Sequence, residues 1–139
     1  MRGTNAMTAP ILLSATLATA AALSLLYMIL LLRIVRMRFK NRISLGDGGN
    51  AELQKRIRAH GNFSEYVPFL LIMMGLLELA GTNRMILGWI GAVMAVLRIC
   101  HVIGMHRPAP NPYRAVGTVG TFTLLIGFAV YGLWLVVQS

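Results

Sequence analysis

Acidic side chains are scarce. Four Asp and Glu stand against 13 Lys and Arg in 139 residues, for a formal net charge of +9. Charge of either sign is thin, at 12% of residues, where a soluble domain carries roughly 25%. Cysteine is limited to Cys100, which excludes an intrachain disulfide framework and a cysteine-based zinc cage. What fills the chain instead is apolar: 57% of residues are hydrophobic and mean hydropathy is +0.69. A soluble globule of this size keeps much of its surface in water and could not hide so much apolar area. An ordinary soluble enzyme and a disordered tail are therefore excluded. The basic excess does not point to nucleic acid, because the basic residues flank apolar runs, as the positive-inside rule expects of a membrane protein.

Four such runs predict an all-α fold, an integral-membrane four-helix bundle forming one domain over residues 1–139. The spans are expected at about 9–33, 51–81, 85–105 and 112–137. About 20 apolar residues suffice to cross a bilayer. The uncharged core of the first, residues 11–32, outruns the 7–15 or so residues of a signal peptide, so it is read as a retained helix. Ala20-Ala21-Ala22 is no cleavage site on this reading, since the apolar run continues ten residues beyond it. Helices 2 and 3 are joined only by Gly81-Thr82-Asn83-Arg84 and form a tight hairpin. Asn111-Pro112 supplies a side-chain cap followed by proline at the first helical position of helix 4. Gly46-Asp47-Gly48-Gly49 is the expected flexible linker, and from Ala51 helix 2 runs as an extension before entering the bilayer.

Loop charge sets the expected orientation. Residues 33–58 carry Arg33, Arg36, Arg38, Lys40, Arg42, Lys55, Arg56 and Arg58, and the 3–4 loop adds Arg107 and Arg114. The opposite side has only Arg2 and Arg84. Both basic loops are expected in the cytoplasm and both termini outside.

Charges inside a span cost about 2.5–3.5 kcal/mol each on insertion scales, which makes them functional candidates. Arg58, Asn62 and Glu65 share one helical face, and so do Arg98, His101 and Met105. With Arg36, Arg38 and Arg114 they gather at one level of the bundle. That excess of donors suits a small ligand carrying several carboxylates, and the start of helix 4 adds its own partial positive charge. No metal is expected; the only candidate ligands, His60, His101 and Glu65, are outweighed by the arginines.

Plainer roles compete. The basic run from Arg33 to Arg42 signals topology and touches anionic lipid. Arg58 with Glu65 can form an ion pair, and Glu78 can pair with Arg84 near the far interface. Arg98 and His101 can simply bond neighbouring helices. Small residues permit close helix crossings: Ser14, Ala18 and Ala22, then Gly88 and Ala92, then Gly117 and Thr121.

The string Arg58-Ala59-His60-Gly61-Asn62-Phe63-Ser64-Glu65 resembles the R-A-x-x-N-x-x-E signature of the MAPEG superfamily, membrane-associated proteins in eicosanoid and glutathione metabolism. Arg98-Ile99-Cys100-His101 is similar to its R-x-x-H in helix 3, and Arg114-Ala115-Val116-Gly117 to the start of its helix 4. Arg36 and Asp47 fall at the spacing of a basic residue and an acidic loop residue in one branch of the family. The resemblance covers about residues 33–120, and the wording around Gly61–Pro68 is nearest the bacterial branch. It implies a homotrimer of four-helix subunits in a bacterial inner membrane, with glutathione as co-substrate between subunits near the cytoplasmic side. It also implies a lipophilic substrate arriving from the bilayer. Carried over residue by residue, it nominates Arg36, Arg58, Asn62, Glu65, Arg98 and His101 as glutathione-binding residues and Arg114 as the catalytic one. Three positions depart from the active members: Gly61 replaces a second arginine, and Met105 and Thr118 replace tyrosines. Tyr66 and Tyr113 are the available substitutes for the missing hydroxyls.

The implied function is glutathione transfer to a lipophilic electrophile, or reduction of a lipid hydroperoxide. A non-catalytic membrane protein of the same fold, whose polar belt binds a ligand or lipid, is the first alternative. A small four-helix transporter is disfavoured because residues 3–32 contain no carboxylate.

Overall fold

A backbone crossing lipid must satisfy its own polar groups, which leaves the helix as the solution for a single apolar segment. The computed structural model, which describes residues 12–139, contains four helices: α1 (Ser14–Asn41), α2 (Ala51–Leu79), α3 (Arg84–Met105) and α4 (Pro112–Gln138). Each is long and apolar enough to cross a membrane, and no strand occurs among the described residues. The protein is thus an all-α four-helix bundle. The expected start of the first span at residues 9–11, and Arg2, lie outside the described residues.

The helices α2 and α3 form the middle of the bundle. Both touch α1 and α4, while α1 and α4 do not touch each other. The core is built from Leu23 and Leu30 of α1, Leu53, Leu70 and Met74 of α2, and Leu87 and Met94 of α3. Helix α4 buries only Gly117, Thr121 and Phe128; its outer face is apolar, as lipid contact requires.

Asparagines start three of the helices. Asn50 accepts the Leu53 N–H, Asn83 those of Met85 and Ile86, and Asn111 that of Arg114. The residue before α1, Leu13, cannot cap. Glu78 does it from another helix: Ala15 N–H donates to its Oε1 at 3.0 Å and Thr16 N–H to its Oε2 at 2.8 Å. The expected Glu78–Arg84 pair is therefore replaced by a cap across the bundle, with Glu78 buried at 6% exposure. Unpaired N–H groups at a helix start attract a carboxylate, and burial strengthens the bond.

Helix α1 carries Arg36 and Arg38 beyond its apolar run and continues to Asn41, ending where Arg42 turns left-handed at φ 54°. One further expectation changes. The Gly46–Gly49 segment is a hydrogen-bonded turn rather than a loose linker. Gly49 N–H donates to Asp47 Oδ1, and Gly46, Gly48 and Gly49 take the positive φ values that the turn needs.

The closest helix crossings fall on other small residues than most of those expected. Ala18, Ala22, Gly88 and Ala92 point outward. Contact occurs where Gly91 meets Thr19, Gly104 meets the Arg114 backbone, and Gly117 meets His101. A Cβ at Gly117 would lie 2.6–2.7 Å from His101 atoms, too close to exist. Glycine there sets how near α4 can come to α3.

Candidate polar site at the basic end

The helix ends carrying the basic loops lie together. Arg33 of α1 bonds His106 just past α3, at 2.5 Å between Nη2 and Nε2. Arg56 of α2 donates to the Arg33 carbonyl at 3.1 Å and pairs with Glu52 at 3.2 Å. His106 also lies 4.0 Å from Glu52. This knot ties three elements at one end. Burial and the Arg33 cation push the His106 pKa below its ordinary 6.5, against the opposing pull of Glu52. Sequence reasoning missed Glu52, Arg56 and His106 as partners, because their spacing in the chain carries no trace of the contact.

About two turns deeper stands Arg98, the largest side chain fully buried among the described residues, at 2% exposure. Its Nη1 donates to Asn62 Oδ1 at 3.1 Å and its Nη2 to the Gly117 carbonyl at 2.7 Å. Nη2 also bonds Thr121 Oγ1, and that hydroxyl donates to Gly117 O at 2.7 Å. Nε has no partner. Among the described residues no carboxylate pairs with Arg98, so neutral acceptors from α2 and α4 carry the cation. A buried charge is costly unless it is hydrogen-bonded, and here those bonds bind α2, α3 and α4 together. His101, one turn on, is also buried, at 4% exposure, under Gly117.

Arg114 occupies the third position of α4. Asn111 fixes it doubly: its Oδ1 accepts the Arg114 N–H at 2.9 Å, and its Nδ2 donates to Gly104 O at 3.0 Å and Pro108 O at 3.1 Å. One of the helix-start donors expected to face an anion is thus already used. The Arg114 side chain is exposed, as are Arg36, Arg58 and Glu65. None of these four side chains makes a hydrogen bond or ion pair among the described residues. The possible Arg58–Glu65 ion pair does not form.

The nominated residues therefore divide. Arg98, Asn62 and His101 lie within the bundle, with Arg98 and Asn62 in direct contact. Arg36, Arg58, Glu65 and Arg114 stand on its outside. Asp47 spends its carboxylate on its own turn. No three His, Cys, Asp or Glu among the described residues gather to hold a metal; His60 packs on Tyr27 at 4.6 Å between ring centres.

Gly61, Met105 and Thr118 are half-buried, and a Cβ at Gly61 would meet nothing within 4 Å. Neither substitute tyrosine is idle. Arg107 covers the Tyr113 ring at 4.2 Å, and Tyr66 packs on Phe122 at 5.5 Å.

The family model described as MAPEG family matches residues 16–134. Among curated proteins, "Inner membrane protein YecN" of Escherichia coli strain K12 is 34% identical over 101 residues, covering 73% of this chain and 76% of its own. The protein of the same name in an O6:H1 strain of Escherichia coli matches to the same extent. No solved structure matches.

Proposed function

Since the chain belongs to the MAPEG family, we propose that it is a multi-pass inner-membrane protein that binds glutathione at its basic end. There it transfers the tripeptide to a lipophilic electrophile or uses it to reduce a lipid hydroperoxide. One observation carries the reading. Arg36, Arg58 and Arg114 stand exposed with no anion among the described residues to meet them, accompanied by the single carboxylate of Glu65. Stranded cations gathered at the membrane surface suit an anionic ligand, and guanidinium forks suit carboxylates.

The donor set fits glutathione. Arg36 and Arg58 suit its two carboxylates, and Glu65 its ammonium. Asn62 offers an amide to the peptide, and Arg98 is a positioning residue that holds the Asn62 carbonyl inward. His101 stiffens the α3 wall beneath Gly117. Bound glutathione supplies a thiol nucleophile. Arg114 beside the sulfur favours its ionised form and lowers its pKa from the ~8.5 of a free thiol. A homotrimer, with the ligand between neighbouring subunits, covers the polar outer face that a lone chain would leave against lipid.

Detergent-purified protein is expected to bind glutathione and to conjugate it to a generic aryl halide. Absence of binding overturns the reading. The replacement of two family tyrosines by Met105 and Thr118 favours a second outcome, binding without turnover, which identifies a non-catalytic member.

A further inference from the structure

Five residues of the basic run, Arg33, Arg36, Arg38, Lys40 and Arg42, follow the apolar part of α1, and the proposed function uses only Arg36. The end of α1 folds two of the others into a recess. Arg42 ends the helix in the left-handed region at φ 54°, and Ile43 N–H then donates back to the Arg38 carbonyl at 3.0 Å. That reversal lays Ile43 and Ser44 against the last turn. The recess so formed, of about 460 Å³, is lined by Arg38, Arg42 and Ser44 with Val35, Phe39 and Ile43.

We infer that this recess binds the phosphate head of one anionic phospholipid, with Arg38, Arg42 and the Ser44 hydroxyl on the phosphate oxygens and Val35, Phe39 and Ile43 against the glycerol and first methylenes.

Depth, donors and apolar surface agree on this ligand. The apolar run ends at Leu32, so Arg38 lies ~9 Å further along the helix. Each headgroup layer is ~5–8 Å thick, and helical side chains lean toward the N-terminus. The Arg38 guanidinium therefore comes back to the phosphate level. Its Nη1 has no hydrogen-bond partner among the described residues, and because it is shielded as placed, a rotation of the half-buried side chain is what brings it to a phosphate oxygen. No carboxylate lines the recess. Phe39 is 81% exposed and Leu45 87%, a placement that water penalises and lipid does not. Arg42 adds a backbone argument. Glycine is the default residue in a left-handed helix cap, and a side chain there carries a steric cost. A guanidinium kept at that corner points to a use for it.

The same position yields a test that keeps the fold. Arg42→Gly removes the cation and relieves the backbone, so the melting temperature in detergent is expected to hold or rise. Delipidated full-length protein is titrated with phosphatidylglycerol or phosphatidylcholine and bound lipid is read by native mass spectrometry. One phosphatidylglycerol per chain is expected to bind ahead of phosphatidylcholine. Arg38→Gln and Arg42→Gly each weaken it about fivefold or more, the loss expected for one basic contact at a membrane surface. Lys40→Gln removes the same charge two residues away, on another face of the helix and outside the recess, and is expected to change binding less than twofold. Equal losses in all three variants reduce the effect to bulk charge and overturn the site. Equal retention of the two lipids overturns the preference for anionic lipid. Release by millimolar inorganic phosphate makes the recess a free-phosphate site and overturns the lipid assignment. Glutathione binding is measured alongside and is expected to be unchanged in Arg42→Gly.

Discussion

Glu78 and Arg98 show how single polar residues survive inside an apolar bundle. Each is placed where backbone groups of another helix lack partners or can take one more bond. Glu78 answers two N–H groups of α1, and Arg98 answers a carbonyl of α4. Removing Glu78 leaves those N–H groups unpaired, at ~1–3 kcal/mol for each buried group. Glu78→Ala is expected to lower the melting temperature in detergent distinctly, and Glu78→Gln, which keeps one acceptor, less so. Equal stability of Glu78→Ala and wild type would deny the cap.

His106 makes a pH prediction at the same scale. Its folded pKa lies below 6.5, so the unfolded chain binds the proton more readily on acidification. The stability it contributes is complete above about pH 6.5 and is lost as pH falls through the lowered folded value. Thermal melts from pH 7.5 to 5 are expected to show a downward slope that flattens in His106→Gln. An unchanged slope would mean that the Arg33–His106 bond does not control it.

At the scale of the helix, the closeness of α3 and α4 depends on glycines that a side chain would displace. Gly117→Ala puts a methyl group into the His101 backbone. Overpacking of this kind costs ~1–3 kcal/mol, and α4 also carries both Arg114 and two acceptors of Arg98. The expected result is a joint loss of stability and glutathione affinity. Gly61→Ala, with open space around its Cβ, is expected to leave affinity intact and to raise stability slightly, since alanine is the better helix former by ~1 kcal/mol. Parallel melts and titrations of the two variants check this.

Helix existence was legible in the chain because an apolar run in lipid has few alternatives. The Asn111 cap and the beginning of α2 at Ala51 were legible for equally local reasons. What was not legible depended on a neighbour. Spacing put Arg58, Asn62 and Glu65 on one stripe, but a stripe spans a wide arc. Asn62 turns inward to Arg98 while Arg58 and Glu65 remain outside. The Glu78 cap joins residues more than 60 apart, and no local pattern announces it. The last residue of α1, Asn41, was not legible, because loss of apolarity marks the membrane surface and not the end of a helix.

At the scale of the whole molecule, the basic loops share one end of the bundle, and by the positive-inside rule that end is expected in the cytoplasm. Fusion of a reporter to the C-terminus is expected to show it outside the cytoplasm; activity of a cytoplasm-only reporter there would reverse the orientation. The exposed polar face is expected to be covered by assembly, so native mass spectrometry in mild detergent should find three copies of the 15.2 kDa chain, and a monomer would leave that face unexplained.

The central claim is that stranded arginines hold an anionic tripeptide, with Arg114 at its sulfur. Glutathione titration of purified wild type, Arg114→Ala, Arg114→Lys and Arg107→Ala tests it most directly, with turnover on an aryl halide read in parallel. Arg107 lies outside α4 and covers Tyr113, so it controls for loss of a loop cation. The account predicts loss of turnover and at least tenfold weaker binding in Arg114→Ala, equivalent to about 1.4 kcal/mol. It predicts partial recovery with lysine, which keeps the charge without the planar fork, and little change in Arg107→Ala. Equal small effects at 107 and 114, with lysine fully restoring function, would contradict it and leave Arg114 as an ordinary anchor of the membrane surface.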